Sequence, residues 1–188
     1  MDVFERAMEF AREAHEGQLR KTGNIPFILH PFEVAAIVAT MTDDREVLAA
    51  ALLHDTVEDT QVTPEDVLEH FGPRVAKLVA DETEDKRPSI PSEKTWRVRK
   101  EESLARIEEH ADDEAALQLW LADKLSNMRS FYRLSCERGD AMWDAFNMRD
   151  AEQQGWYYRE VLRITAPLAD TAAWREYCWL VSQVFGEE

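Results

Sequence analysis

The chain has little cysteine, glycine or proline, and it has no long apolar run. Its 188 residues include 2 cysteines, 6 glycines and 7 prolines. Two cysteines without a paired-spacing motif argue against a disulfide scaffold and favour a reduced, cytoplasmic protein. No apolar stretch approaches the roughly 20 residues that a membrane-spanning helix needs, and the first residues lack the basic and apolar regions of a signal peptide. We therefore expect a cytoplasmic domain in which long helices can form.

Positive charge is also scarce. Lys and Arg number 22 against 38 Asp and Glu, which gives a formal net charge of −16. So acidic a surface repels nucleic-acid backbones and anionic membranes, and we expect neither as a partner. A small anionic substrate would need a local cluster of cationic side chains. The composition leaves a homo-oligomer open.

Apolar periodicity predicts an all-α fold in a single domain, residues 1–188. The predicted helices lie at about 2–16, from 30 onward, 44–55, 64–71, 73–85, 93–110, 113–133, 151–166 and 171–185. The third of these is nearly all apolar from Val47 to Leu53, which indicates burial. Thr63 is the predicted cap of the next helix, Pro64 occupies its first turn, and Gly72 ends it. We find no convincing strand.

The stretch ALLHDTVEDT, residues 51–60, brings four chemically active side chains to the end of the buried helix. They are His54, Asp55, Glu58 and Asp59. Adjacent residues on a helix diverge by about 100°, but at a helix end both can still reach one point. Imidazole and carboxylate groups at one point can bind a metal ion or move a proton.

An ion held there needs further ligands, and the sequence offers His30 and Asp123. Two imidazoles and two carboxylates suit a divalent transition ion such as Mn²⁺, Fe²⁺, Zn²⁺ or Co²⁺. Each residue also has a purely structural interpretation: a surface His-Asp pair, a helix cap at His30, and an Asp123 paired with Lys124 or Arg129. Their joint occurrence favours the metal, because a bare charge in an apolar helix is costly.

Four segments resemble one family. RKTGNIPFILHPFEVA, AALLHDTVEDT, FGPRVAKLV and LADKLSNMRS are similar to the hydrolase domain of RelA/SpoT-type alarmone enzymes, which belong to the HD-domain metal phosphohydrolases. The resemblance covers roughly residues 1–134, with a helical extension over about 135–188. It implies an HD-type helical bundle and a stand-alone small alarmone hydrolase. Such enzymes remove the 3′-pyrophosphate from (p)ppGpp, normally with one divalent metal, Mn²⁺.

The resemblance also implies roles for individual residues. Four match the metal ligands: His30, His54, Asp55 and Asp123. Glu58 and Asp59 match the acidic pair that positions and deprotonates the attacking water.

The nucleotide is expected to meet a second group of side chains. Arg20 and Lys21 match the basic pair beside the nucleotide, and Asn127 matches a residue that contacts the sugar. Lys124 and Arg129 are predicted to add the local positive charge that the chain otherwise lacks. In one departure from the family pattern, Gln118 and Trp120 stand in a stretch where a lysine is common.

Two other functions remain open from the sequence. One is an HD phosphohydrolase that acts on another nucleotide, for example as a 5′-monophosphatase. The other is a non-catalytic nucleotide sensor, which predicts a damaged ligand set, whereas all six metal and acid positions are filled.

His70 and His110 resemble helix-end surface residues, so we expect a single metal. The aromatic residues between 143 and 158 are expected mainly in the core.

Overall fold

The computed structural model describes residues 2–20 and 23–186 and shows an all-helical fold. Over these ranges the chain forms no β-strand, and an isolated bridge joins Leu19 to Pro26. The all-α prediction is therefore confirmed. The α-helices are α1 (Val3–Ala14), α2 (Leu29–Val38), α3 (Arg45–Leu53), α4 (Thr56–Asp59), α5 (Pro64–Phe71), α6 (Pro73–Glu82), α7 (Ser92–Glu109), α8 (Glu114–Arg138), α9 (Ala151–Ile164) and α10 (Ala172–Phe185). Two 3₁₀-helices span Gly139–Ala145 and Ala166–Leu168.

Local signals set the boundary between α5 and α6 as predicted. The Thr63 side chain accepts from the backbone N–H of Asp66, and the Asp66 carboxylate accepts from the backbone N–H of Thr63, which forms a capping box. Pro64 opens the helix. Gly72 adopts φ 85°, a left-handed conformation that glycine reaches without strain, so the chain turns there and begins α6.

Helix α3 is the centre of the hydrophobic core. Every residue from Val47 to Leu53 is buried, with no more than 8% exposed. The helix packs against α1, α2, α6 and α8. A helix that is apolar on all sides needs such a covering, and once covered it offers a rigid support for the residues that follow it.

Helix α8 is the longest element, with 25 residues, and it packs against α2, α3, α6, α9 and α10. Its buried face includes Asp123 and Lys124, which are 6% and 8% exposed. Charged side chains are rarely buried this deeply without partners. Their position beside the ends of α2 and α3 marks the region where the site forms.

The aromatic residues after α8 pack together against its C-terminal half. The ring centroid of Phe131 lies 4.7 Å from that of Phe146 and 5.2 Å from that of Tyr158. Trp143 stacks on Phe185 of α10 at 5.7 Å. These contacts hold α9, α10 and the 3₁₀ segment onto α8.

Across residues 2–20 and 23–186, the structure contains no helix with the length and apolar character needed to cross a membrane.

Candidate active site

A break in the helix directs His54 and Asp55 toward the same point. α3 ends at Leu53, and α4 begins at Thr56, so the two residues form the junction. The Thr56 hydroxyl donates to the carbonyl of Leu53 at 2.7 Å, and the Asp59 N–H donates to the carbonyl of Asp55 at 2.9 Å. These bonds satisfy backbone groups at the break, which burial would otherwise leave without a hydrogen-bond partner.

Four donor atoms converge at this junction. His30 Nε2 lies 3.0 Å from Asp123 Oδ1 and 3.5 Å from Asp55 Oδ2. His54 Nε2 lies 3.1 Å from Asp55 Oδ2 and 3.7 Å from Asp123 Oδ1. The two imidazole Nε2 atoms are 3.3 Å apart. The structure thus brings together all four residues that the sequence assigned to the metal, from α2, the α3–α4 junction and α8.

Hydrogen bonds fix which imidazole nitrogens face the cluster. His54 Nδ1 lies 2.8 Å from the carbonyl oxygen of Ala51, which can only accept, so Nδ1 carries the proton. His30 Nδ1 lies 2.8 Å from Ser126 Oγ, whose own proton goes to Glu33 Oε2 at 2.7 Å. In the neutral imidazoles, both Nε2 atoms therefore present lone pairs toward the carboxylates, a donor set that suits a divalent transition ion.

The pKa shifts of His54 and Asp123 indicate that the cluster favours a bound positive charge. Burial alone would lower the pKa of His54, but the carboxylates of Asp55 and Asp123 outweigh it and hold the pKa well above its ordinary value. The pKa of Asp123 lies well below its ordinary value, because the Lys124 ammonium and the two imidazoles outweigh the effect of burial. Without an ion, the two carboxylates therefore favour the protonated form of His54.

Glu58 and Asp59 of α4 stand beside this cluster. Glu58 Oε2 accepts from the backbone N–H of Glu84 at 3.0 Å, and its Oε1 lies 3.3 Å from Lys86 Nζ. Lys86 also contacts the Asp59 carboxylate. Burial, followed by the nearby charge of Asp55, raises the pKa of Glu58. The Glu58 carboxylate is therefore more basic than an exposed one and is held in place from two sides.

The cluster opens into a cavity of about 590 Å³. Its walls carry five cationic side chains, Arg20, Lys86, Arg99, Lys100 and Lys124, and six carboxylates, Asp55, Glu58, Asp59, Glu82, Glu84 and Asp123. Cations thus nearly balance carboxylates in this cavity, whereas acidic residues outnumber basic ones by 38 to 22 in the whole chain. A cavity with this lining can hold a small anion beside an ion and a basic carboxylate.

Lys124 is buried more deeply than a residue that only attracts an anionic substrate would need to be. Its ammonium contacts Asp123 and lies 3.4 Å from Glu82 Oε2 and 4.9 Å from the ring centroid of Trp120. Burial raises the pKa of Glu82 to about 7, although Lys124 opposes this. Lys124 therefore neutralises buried carboxylates, and its pKa stays well above its ordinary value because Asp123 and Glu82 outweigh the effect of burial.

The other predicted nucleotide contacts divide between the cavity and the outer surface. Arg20 Nη2 lies 3.4 Å from both Asn127 Oδ1 and Ser130 Oγ, and all three residues line the cavity. Asn127 Nδ2 donates to Asp123 Oδ1 at 2.9 Å, so Asn127 links Arg20 to the cluster. Lys21 lies outside the described residues.

Arg129 does not reach the cavity. Its Nη1 donates to Glu33 Oε1 at 3.0 Å, and its Nε and Nη2 donate to the Glu176 carboxylate at 2.6 and 2.8 Å. The structure places Arg129 between α2 and α10, where two acidic residues use its guanidinium. The prediction that Arg129 contacts the nucleotide therefore lacks the required geometry.

Comparison with known proteins decides the family. A family model described as the HD domain matches residues 7–172, which is most of the chain. The chain belongs to the HD domain family. HD domains bind divalent metals, and the donor atoms of His30, His54 and Asp55 lie within 4.8 Å of one another, as such an ion requires.

Curated relatives carry two kinds of name. A guanosine-3′,5′-bis(diphosphate) 3′-pyrophosphohydrolase from Aquifex aeolicus is 43% identical over 131 residues, which are 70% of this chain and 18% of that protein. A protein of the same name from Vibrio cholerae is 36% identical over 90% of this chain and 21% of its own length. A GTP pyrophosphokinase from Myxococcus xanthus is 33% identical over 90% of this chain and 20% of its own length. The chain spans about a fifth of these relatives.

Two solved structures are similar over nearly their whole length. One, described as a metazoan ortholog of SpoT that hydrolyses ppGpp, has a TM-score of 0.73 and 28% identity, and the match covers 97% of this chain and 95% of that one. The other, lmo0812 from Listeria monocytogenes EGD-e, has a TM-score of 0.71 and 30% identity over 85% of this chain and 98% of its own. These proteins are thus close to this HD domain in size.

Three cationic residues of the HD-domain cavity were missed by the sequence analysis. Lys86 follows α6, and Arg99 and Lys100 lie on α7. Arg99 and Lys100 donate to the Glu84 carboxylate at 2.8 and 2.7 Å. The signal was the basic pattern RVRK in an otherwise acidic chain. Its position gave no hint that α7 packs beside the residues that follow α6.

The remaining aromatic and histidine predictions can be compared with the structure. Tyr157 and Tyr158 are buried, as expected for core residues, but they line the cavity as well, together with Phe146. His70 is exposed, and His110 Nδ1 lies 3.5 Å from Asp81 Oδ2. Neither histidine lines the cavity described above.

Proposed function

We propose that this HD domain is a metal-dependent hydrolase that removes the 3′-pyrophosphate from (p)ppGpp-like nucleotides. The observation that carries the proposal is the convergence of His30, His54, Asp55 and Asp123 next to Glu58, in a cavity that also carries five cations. An intact donor set argues against a sensor without catalysis. The names of the relatives supply the nucleotide class, and the similarity to a ppGpp-hydrolysing SpoT ortholog supports it.

The reaction needs a base, a held phosphate and a leaving oxygen. A divalent ion, which we propose is Mn²⁺, would supply Lewis-acid activation of water and of the phosphate oxygens. Glu58 accepts the proton of the attacking water, since its pKa is raised and its carboxylate is held by Glu84 and Lys86. The water oxygen joins the phosphorus next to the ribose, and the bond from that phosphorus to the ribose 3′-oxygen breaks. Pyrophosphate leaves intact, and the 3′-oxygen takes up the proton that Glu58 accepted from the water and ends as a hydroxyl.

The cationic wall accounts for an anionic substrate. Lys86, Arg99 and Lys100 lie on the side of the cavity formed by α7 and the segment before it, whereas Arg20 lies beside Asn127 and Ser130 of α8. We assign the first group to phosphate oxygens as a second set of partners, because Lys86 already pairs with Glu58 and Asp59, and Arg99 and Lys100 already hold the Glu84 carboxylate. Arg20, whose planar guanidinium can stack on a base, belongs to the nucleoside end. The two ends of the cavity thus match the two ends of a phosphorylated nucleotide.

A nucleotide panel tests the proposed function. The protein is incubated with Mn²⁺ and with ppGpp, its adenine counterpart, GTP or a 5′-monophosphate, and released pyrophosphate and phosphate are measured separately. We expect pyrophosphate from the 3′-pyrophosphate nucleotides and no product from GTP. Orthophosphate from a 5′-monophosphate as the best substrate would replace the proposal with the monophosphatase function.

An Arg20→Ala variant tests the placement of the substrate in the cavity. It removes the nucleoside contact and leaves the metal cluster intact, so KM should rise more than kcat falls. Steady-state kinetics on ppGpp measure both values, and Arg163→Ala is the control, because Arg163 pairs with Glu108 and Glu160 away from the cavity. A loss confined to kcat would move Arg20 from binding to chemistry.

A further inference from the structure

A continuous series of hydrogen bonds leads outward from the metal ligand His30. His30 Nδ1 lies 2.8 Å from Ser126 Oγ, and Ser126 Oγ donates to Glu33 Oε2 at 2.7 Å. Arg129 Nη1 donates to Glu33 Oε1 at 3.0 Å. Arg129 is itself held by two hydrogen bonds to the carboxylate of Glu176. The series crosses from α2 to α8 and on to α10.

The direction of each bond follows from the available protons. Ser126 has a single hydroxyl proton, and a carboxylate can only accept, so this proton points to Glu33. The Ser126 oxygen is then left as an acceptor, and His30 must donate from Nδ1. If Glu33 were removed, the Ser126 hydroxyl could turn and donate to His30 Nδ1 instead. The imidazole proton would then sit on Nε2, where the ion must bind.

We infer that Glu33 is a positioning residue for the metal centre. Acting through Ser126, it holds His30 in the tautomer that offers Nε2 to the ion, and Arg129 aims the Glu33 carboxylate. This inference rests on the metal centre of the proposed function, but it does not depend on which nucleotide is hydrolysed. It also gives Arg129 a role at a distance from the substrate.

The degree of burial along the series distinguishes this positioning role from a general stabilisation of the fold. Ser126 is fully buried at 0% exposure, and His30 is 5% exposed, so the inner bond of the series is shielded from water. The side chains of Glu33 and Arg129 are 37% and 38% exposed, and ion pairs that exposed contribute little to stability. Loss of Glu33 should therefore affect the imidazole more than the fold.

The test measures Mn²⁺ affinity and the His30 tautomer in the full chain. Glu33→Ala and Ser126→Ala should each weaken Mn²⁺ binding by about 10–100-fold, the usual effect of removing a partner of a ligating histidine. Glu33→Gln keeps a single acceptor oxygen, for which Ser126 and Arg129 compete, so its Mn²⁺ affinity should fall between those of the wild type and Glu33→Ala. The double variant Glu33→Ala/Ser126→Ala should lose no more than Ser126→Ala alone, because both residues act through one path. Arg129→Ala should lose less than Glu33→Ala.

Glu160→Ala is the matched control, since Glu160 pairs with Arg163 at 2.9 Å, has a 34% exposed side chain and lies on α9, away from the metal ligands. Nitrogen NMR of the metal-free protein should show His30 protonated on Nδ1 in wild type, with protonation moving toward Nε2 in Glu33→Ala. Metal affinity within about twofold of wild type in either Glu33→Ala or Ser126→Ala would overturn the inference. Should Glu33→Ala fail to fold, Ser126→Ala and the wild-type tautomer still decide it. Failure to hydrolyse ppGpp would leave these measurements unchanged.

Discussion

Asp55 and Glu58 lie one helical turn apart, yet their surroundings shift the two carboxyl groups in opposite directions. Burial raises the pKa of both groups. For Asp55 the imidazoles of His54 and His30 outweigh it, and the pKa falls well below its ordinary value. For Glu58 the charge of Asp55 adds to the effect of burial, and the pKa rises despite Lys86. Asp55 therefore stays charged, as its proposed role of metal ligand requires, whereas Glu58 can take up a proton.

This division of roles predicts the effect of Glu58→Gln. The amide has nearly the shape of the carboxylate but cannot accept a proton from water, so kcat should fall by about 10²–10⁴-fold. Metal content should stay near wild type, because none of the four converging donor atoms belongs to Glu58. Single-turnover kinetics and metal analysis measure the two effects. Asp55→Ala, which removes a ligand, is the comparison and should lose both metal and activity. A Glu58→Gln protein without metal would make Glu58 a ligand.

The raised pKa of His54 predicts how metal affinity depends on pH. A pKa above the ordinary 6.5 means that the imidazole keeps its proton to higher pH, and that proton occupies the place of the ion. Binding of Mn²⁺ must therefore release a proton, and affinity should rise with pH by about tenfold per unit while His54 is protonated. Calorimetric titration in buffers of different ionisation enthalpy counts the released proton. Affinity independent of pH between about 5.5 and 8 would contradict this picture.

At the scale of elements, the site depends on where helices stop. The break between α3 and α4 turns His54 and Asp55 toward one point, and the segment after α6 carries the backbone N–H that holds Glu58. That segment is itself tied to α7, since Glu84 accepts from Arg99, Lys100 and Ser103. The position of the Glu58 carboxylate is thus set by contacts between α7 and the segment after α6, far from α4 in the sequence.

Glu84→Gln tests this tie. Burial raises the pKa of Glu84, but Lys100 and the other nearby cations outweigh it and lower the pKa from 4.5 to about 2. Because the folded pKa is depressed, the stabilisation is present above the unfolded value of 4.5 and is lost as pH falls toward 2. Glu84→Gln should therefore destabilise the fold by about 3 kcal/mol at neutral pH and by much less near pH 2–3. Urea unfolding at both pH values measures the difference, with Glu160→Gln as the control. An equal loss at both pH values would show that packing, and not charge, links Glu84 to α7.

Local sequence signals predicted most of the helices. The features that they did not predict depend on packing between residues that are far apart in the sequence. The Thr63 cap, Pro64 and Gly72 act within a few residues, so their effect could be predicted from the sequence. The short helix α4 was not predicted. One continuous helix over residues 44–59 and two helices with a break between them would have the same apolar pattern. Arg129 shows the converse: its neighbours in sequence belong to the site, but its partner Glu176 lies 47 residues away and holds it outside.

At the scale of the whole molecule, the charge distribution is uneven. The chain has a net charge of −16, but five cations stand against six carboxylates in the cavity, so the negative potential that repels anions at the surface is weaker there. Long-range repulsion would slow the encounter with the proposed anionic nucleotide and is screened by salt. Cations deep in the cavity, such as Lys124 with an 11% exposed side chain, are screened less than exposed charges.

The arrangement of the ligands predicts that metal binding stabilises the entire fold. His30 comes from α2, His54 and Asp55 from the α3–α4 junction, and Asp123 from α8, so an ion joins separate parts of the helical core. An ion that binds only the folded state stabilises it by an amount that grows with concentration, about 2.7 kcal/mol at a hundred times Kd. The melting temperature should therefore rise with added Mn²⁺ and return to the metal-free value after chelation.

Asp123→Asn is the control for this last measurement. The amide keeps the size of the side chain but loses the ligand charge, so its melting temperature should not respond to Mn²⁺. The same variant leaves the buried Lys124 with Glu82 as its remaining carboxylate, and its metal-free form should be less stable than the wild type. Thermal unfolding followed by circular dichroism gives both values. If Mn²⁺ raised the melting temperature of Asp123→Asn as much as that of the wild type, the stabilising ion would bind elsewhere, and the metal centre assigned to the four converging donors would be refuted.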